Sequence, residues 1–439
     1  MAREKSIIEI SVDKYIQPFI RAGGFSGAVL MARGGRILLA KGYGAANIEL
    51  NVSNTPQTKF QIASLSKSFT AAAIMMLEER GQLRVMDPLS AFISDYPKGD
   101  RITIHHLLTH TSGIPNVNDF PDYDARSKFP HGLEEIISWF KDKPLDFAPG
   151  ERYGYSNSNY NLLAAIIEKA SGESYGRFLK KNIFDPLDMK DTGHNDGPRT
   201  LLNNRAYGYA PAGNGGIENA PFLDWAIKTG NGSLYSTVED LFKWDRALYT
   251  EKILQRDTIR KMFTEHIAGT GYGWFLAKHL NRRVTYYNGK SPGFTSYIDR
   301  FIDDDACIII LSNNYAPVPH IITKDLAAIL FGEPYSEPED LKPVEVDIED
   351  LELLTGCYQF GKDFYRPEAV VSVERQGDFL VLNWGGGYLS PLNALSETIF
   401  FDRNFWARII FEKDGQGRVT RFIWRDSRDY SSEKIKREK

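Results

Sequence analysis

Three short stretches of this sequence carry reactive side chains at spacings that suit acyl transfer. Ser64-Leu65-Ser66-Lys67 puts a hydroxyl and an amine three residues apart, on one face of a helix. An amine held in a dry cleft has its pKa lowered and takes a proton from such a hydroxyl. The segment opens the run SLSKSFTAAAIMMLEE, so the free N–H groups of a helix start would stand beside Ser64 and favour an oxyanion. The second stretch is Pro149-Gly150-Glu151-Arg152-Tyr153-Gly154-Tyr155-Ser156-Asn157, a rigid turn leading into a helix. On extended backbone Tyr155 and Asn157 project the same way. The phenol would relay a proton; the amide would bind a carbonyl and orient Lys67. Tyr153 competes for the first role. The third stretch, Tyr287-Asn288-Gly289-Lys290-Ser291-Pro292-Gly293-Phe294, lies where one strand ends and another begins. Glycine there admits the substrate backbone, and the N–H of Lys290 would join that of Ser64 as an oxyanion hole. Each stretch also fits a plain alternative: a helix start with a solvated lysine, a loop satisfying its own backbone, and a Gly/Pro turn.

The elements that must hold these residues are legible from periodicity. A helix is expected over 7–20, then strands near 25–32 and 36–45 with Gly34-Gly35 as their turn. The Ser64 helix ends near Arg80-Gly81. A short helix falls in 100–112, followed by a long loop at 114–130, a length often tied to function. Helices are predicted at 132–141, 157–171, 174–183, 237–249, 255–263 and 319–331, with 203–220 as surface loop. Strands return at 272–278, 283–288, 294–302 and 306–312. Strands at both ends with helices between predict an α+β unit: one antiparallel sheet from distant segments, flanked by helices, with an inserted helical region. This unit spans 1–335. An acidic, proline-bearing linker follows at 336–352. Short strands separated by polar turns then predict a small all-β antiparallel barrel at 353–430, and 431–439 reads as a frayed charged tail.

Composition narrows the function classes. The chain has 439 residues, 42% hydrophobic and 25% charged, with a formal net charge of −4. That balance argues against a general nucleic-acid binder. No apolar run is long enough to span a membrane. The N-terminus lacks an apolar signal core, so the chain is either cytoplasmic as written or secreted or periplasmic after loss of a leader. Cys307 in ACIIIL reads as a core thiol, and Cys357 has no neighbouring base; a bridge between them is a minor alternative. His106 and His110 have an i,i+4 spacing but no intervening glutamate, and His105 adds nothing to them, so no metal is expected. No glycine pattern marks a nucleotide site, and no cofactor is expected. Ser112 and Ser156 read as structural. Phe120, Tyr123, Phe222 and Trp225 are candidates to line an acyl pocket. Nothing in the sequence sets an oligomeric state.

Taken together, Ser64-x-x-Lys67, Tyr155-x-Asn157, HHLLTHTSGI and GNGSLYSTVEDLFKW make the chain resemble the serine β-lactamase and penicillin-binding-protein superfamily over residues 10–330. Class C β-lactamases, D-aminopeptidases, carboxypeptidases and β-lactamase-like esterases are nearest in style. The barrel resembles the lipocalin-like extension of some members. The resemblance implies the β-lactamase/transpeptidase-like fold and a Ser-Lys-Tyr acyl-enzyme mechanism. In it Ser64 attacks, Lys67 and Tyr155 share the proton work, and Asn157 positions the acyl side chain. The third motif departs from the family. Members that recognise penicillin carry Lys-Thr-Gly and many relatives His-x-Gly, whereas this chain has Tyr287-Asn288-Gly289. A neutral tyrosine cannot pair with a substrate carboxylate. Lys290 is adjacent, but on a strand its side chain should point away from that of Tyr287. The expected reaction is therefore hydrolysis of carboxylic esters, with weak β-lactam hydrolysis beside it. A D-stereospecific aminopeptidase, carboxypeptidase or amidase on small peptides, and a non-catalytic penicillin-binding-like scaffold, remain as alternatives.

Overall fold

A computed structural model describes residues 2–197, 200–213, 215–385 and 389–435. A central sheet is built from β1 (Gly27–Arg33), β2 (Arg36–Tyr43), β3 (Phe275–His279), β4 (Arg282–Ser291), β5 (Phe294–Phe301) and β6 (Ala306–Ser312), in the order β3-β4-β5-β6-β1-β2. All its pairings are antiparallel. The two ends of the segment thus meet at the β1–β6 pair, where Gly27 faces Ser312 and Arg33 faces Ala306.

Alternation along the strands sends side chains to two separate apolar layers. Ala28, Leu30 and Ala32 of β1 face the helical region, while Val29 and Met31 face the helices Ala2–Arg21 and Val318–Phe331. On the first side stands the helix Ser66–Glu79, every residue of which from Ser66 to Leu77 is buried. A helix apolar nearly all round belongs in the middle of a domain. It packs against Asn157–Ser171, which ends on the left-handed Gly172. The helix Val238–Ala247 is tied to β5 by Asp245 and Arg300, both fully buried, at 2.6 Å.

The C-terminal strands Gly356–Phe360, Val370–Gln376, Phe379–Asn383, Leu389–Ala394, Ile399–Asp402, Ala407–Lys413, Val419–Arg425 and Asp429–Ile435 close into an eight-stranded antiparallel barrel. Its interior is filled by Tyr358, Leu380, Leu382, Ile409, Phe422 and Trp424 with their neighbours. Closure comes from pairing the last strand with the first, Cys357 opposite Ile435. Residues 431–435, expected in the charged tail, are therefore barrel; Tyr430 and Ser432 face inward, and Asp429 and Glu433 outward. Residues 436–439 lie outside the described residues. The expected linker also gains structure: Ile348–Leu354 is helical, with Leu351 and Leu354 in the barrel core. The expected surface loop 203–220 instead contains a hairpin, Tyr209–Pro211 against Ile217–Asn219, with Tyr209 buried.

That hairpin docks on the barrel. The Arg403 guanidinium donates to the carbonyls of Ala212, Gly215, Gly216 and Ala22. Trp406 lies so close to Gly24 that a Cβ there would come within 2.1 Å of the indole. Cys307 and Cys357 are both free thiols. Among the described residues no helix is long and apolar enough to cross a membrane.

Candidate active site

Ser64 does not begin the helix. It sits in a single 3-10 turn, Ala63–Leu65, and the α-helix starts at Ser66. Ala63 has a φ of +46°, a conformation disfavoured for a residue with a Cβ and held only where the surroundings fix it. The strand β4 runs hard against this turn. A Cβ at Gly289 would lie 2.4 Å from the Ile62 carbonyl and 2.9 Å from the Ser64 nitrogen. Glycine is thus the residue that lets the strand backbone reach Ser64.

Two groups converge on the serine. Lys67 Nζ and Tyr155 Oη each lie 3.0 Å from Ser64 Oγ. Lys67 is fully buried, and its other neighbours are Asn157 Oδ1 at 2.9 Å and the Asn231 carbonyl at 2.7 Å. Burial, aided by the nearby charge of Lys228, holds its pKa well below the ordinary 10.5. A neutral amine matches this shell: its two protons go to the amide and carbonyl oxygens, and its lone pair accepts from the serine hydroxyl. Burial raises the Tyr155 pKa, opposed in part by its hydrogen bonds. The group is therefore a phenol that donates to Ser64 Oγ.

Each of these groups is held from behind. The Asn157 side-chain amide donates to Asn116 Oδ1 at 3.2 Å and to Asn118 Oδ1 at 2.9 Å, which fixes Oδ1 toward Lys67. Both asparagines come from the long 114–130 loop. The Tyr155 ring rests on His110, 4.5 Å between centroids. Burial lowers the His110 pKa to about 3, and its neutral Nδ1 accepts from the Ser156 N–H. The Asn231 carbonyl is aimed by its own loop. Gly230 has a φ of +85°, a Cβ there would meet the Tyr160 carbonyl at 2.2 Å, and the Gly230 carbonyl accepts from Thr70. Asn231 Nδ2 donates to Asn161 Oδ1 at 3.1 Å.

A cleft of about 340 Å³ opens over Ser64, lined also by Tyr155, Asn157, Lys228, Phe275, Tyr287, Asn288 and Lys290. Tyr287 is 2% exposed. Its hydroxyl lies near that of Tyr155 without a well-formed hydrogen bond, and burial pushes its pKa far up. Lys290 also borders the cleft. Its amine turns to the barrel, donating to the Asn404 carbonyl at 3.2 Å over the Tyr315 ring. Burial lowers its pKa to about 8, and it supplies no charge in place of Tyr287.

Other sequence candidates are placed elsewhere. Tyr153 makes no bond to Ser64; Ser112 Oγ donates to Asn159, and Ser156 Oγ to the Pro115 carbonyl. His106 accepts from the Thr103 N–H at its own helix start, and His105 contacts Tyr272. No cluster able to hold a metal occurs among the described residues. Phe222 and Trp225 line a separate hollow of about 350 Å³ with Gln61 and Phe294, outside the cleft over Ser64. Tyr123 instead lies beside Lys228, and Phe120 packs on the core. Sequence reasoning missed Asn116, Asn118, Asn231, the role of His110, and Lys228. The letters Lys228-Thr229-Gly230 spell Lys-Thr-Gly, but Lys228 closes a 3-10 turn and the three are not on β4.

The chain is similar to known proteins over most of its length. The Beta-lactamase family model matches residues 12–330. Penicillin-binding protein 4* of Bacillus subtilis is 31% identical over 416 residues, covering 88% of this chain and 90% of that protein. The octameric penicillin-binding protein homologue from Pyrococcus abyssi is 26% identical, with a TM-score of 0.65 over 97% of this chain and 99% of that one. D-amino acid amidase from Ochrobactrum anthropi SV3 shares the fold, with 23% identity and a TM-score of 0.66 over 75% of this chain and 99% of that one. The chain belongs to the β-lactamase family, the serine β-lactamase and penicillin-binding-protein-like hydrolases.

Proposed function

We propose that this protein hydrolyses carboxylic esters through a Ser64 acyl-enzyme, with uncharged amides as slower substrates and β-lactams as weak ones. The observation that carries the reading is the pair of 3.0 Å contacts to Ser64 Oγ, from a buried amine and from a phenol. Lys67 takes the serine proton as Oγ attacks the carbonyl carbon. The N–H groups of Ser64 and Lys290 receive the oxyanion, with Gly289 letting the strand close on the turn. As the C–O bond breaks, Tyr155 gives its proton to the leaving alkoxide and recovers one from Lys67. Water then attacks the acyl-serine by the same groups in reverse, releasing the acid. Asn157 holds Lys67 and faces the acyl chain. Tyr287 in place of a cation supports esters over substrates that present a carboxylate beside the leaving group. D-stereospecific cleavage of small amides is the second reading, favoured by the likeness to Ochrobactrum D-amino acid amidase.

Brief exposure to a short-chain p-nitrophenyl ester, and separately to a penicillin, followed by intact-mass measurement, tests the proposal. A Ser64-dependent acyl adduct or turnover with the ester, absent in Ser64→Ala, is the expected result. Equal hydrolysis by Ser64→Ala would remove the nucleophile assignment. A penicilloyl adduct alone would move the protein to penicillin recognition.

A further inference from the structure

The Lys228 side chain lines the cleft over Ser64. It is 7% exposed, yet makes no ion pair with an Asp or Glu among the described residues. No carboxylate lines the cleft. The groups around it are the Tyr123 ring, 5.8 Å from Nζ, and Lys67, whose proton affinity it lowers.

Its position is fixed by the backbone. Lys228 closes a 3-10 turn begun by Asp224, and its carbonyl accepts from the N–H groups of Asn231 and Gly232. A Cβ at Gly232 would stand 3.3 Å from Lys228 Cδ and 3.5 Å from the Ala63 carbonyl carbon. The aliphatic stem therefore lies along Gly232, next to the residue that precedes the nucleophile. Its charge is felt instead by a second amine, that of Lys67.

We infer that Lys228 is the anchor for a carboxylate on the acyl part of the substrate. The proposal rests on the Ser64 hydrolase reading and names its substrate class. The leaving group goes to Tyr155, with Tyr287 beside it. The acyl chain is left with the wall formed by the 114–130 and 228–232 loops, where Asn118, Lys228 and Gly232 line the cleft. The favoured substrates are esters of dicarboxylic acids whose far carboxylate reaches Lys228.

The test compares mono-p-nitrophenyl adipate with p-nitrophenyl hexanoate, chains of similar length that differ in the terminal charge. The wild type should favour the adipate ester in kcat/KM by about 10- to 100-fold, the range for a hydrogen bond to a charged partner. Lys228→Met should abolish that ratio, and Lys228→Arg should restore most of it. The ratio is taken within each variant, so a partly unfolded sample does not bias it. A ratio unchanged in Lys228→Met, with the pH profiles of both esters shifted alike, would overturn the proposal and leave Lys228 acting only on Lys67.

If neither ester is turned over, the ester reading fails separately. Calorimetric titration of adipate into Ser64→Ala and into Ser64→Ala/Lys228→Met then decides the anchor. Weaker binding to the double variant supports it, and equal binding refutes it.

Discussion

Replacing Lys67 by methionine should remove a pH-dependent part of the protein's stability. The folded-state pKa of Lys67 is lowered well below 10.5, chiefly by burial. In the window between the lowered value and 10.5 the unfolded chain binds a proton that the folded chain does not. Stability then rises with pH, by about 1.4 kcal/mol per unit. Below the window both states are charged and the slope vanishes. Above it both are neutral and the full stability is present. Lys67→Met lacks this slope. It also strands the Asn157 and Asn231 oxygens, at about 1–3 kcal/mol each, but that offset does not depend on pH. All other titrating groups are common to both proteins and cancel in the difference. Urea unfolding of wild type and Lys67→Met, run at stepped pH up to about pH 10, should show the wild type gaining on the variant as pH rises, by up to about 1.4 kcal/mol per unit inside the window. Parallel curves would mean that Lys67 is a folded-state ammonium donating to three oxygens, and the base assignment would fall.

Three further outcomes follow from the same geometry. Tyr155→Phe removes the phenol 3.0 Å from Ser64 and should lower kcat/KM by about 10²–10⁴-fold; the deficit should be larger for an alkyl ester than for a p-nitrophenyl ester, whose leaving group needs no proton, and equal deficits would exclude Tyr155 as the acid. Gly289→Ala drives a methyl into the Ile62 carbonyl and should cut turnover by about 100-fold with circular dichroism unchanged, so a wild-type rate would mean that β4 does not build the oxyanion hole. Arg403→Ala empties the grip on four carbonyls and should destabilise the barrel's docking by about 2 kcal/mol, read as faster proteolysis between 336 and 347; an unaltered digestion rate would show that the apolar contacts hold without it.

The sheet and the barrel were legible because alternation and turn residues are local signals. Gly34-Gly35 marked its hairpin, and the short apolar runs after 353 marked barrel strands. The end of the barrel's last strand reads as tail because Glu433-Lys434 runs on into Lys436-Arg437-Glu438-Lys439, a charged stretch with no apolar alternation. In the site, the structure brings together Ser64, Lys67, Tyr155 and Asn157, whose types and spacings already suggested the chemistry. Their supports were not legible. The Asn231 contribution is a backbone carbonyl, which no side-chain pattern reports. Asn116 and Asn118 act across 41 and 39 residues of chain, from a loop without periodicity. The meaning of Lys228 depends on which side of Gly232 its stem takes, a matter of tertiary contact.

Position 290 separates two demands along a single residue. In the proposed mechanism its amide serves the oxyanion hole, and any amino acid other than proline supplies one. Its side chain belongs to the seam with the barrel, between Tyr315 and the Asn404 carbonyl. The two can therefore be recoded independently. A protein engineer grafting a different barrel onto this hydrolase would treat residues 290, 315 and 402–406 as one exchangeable cassette. Selection for new substrates would meanwhile work on Tyr287 and Lys228, with the seam left untouched.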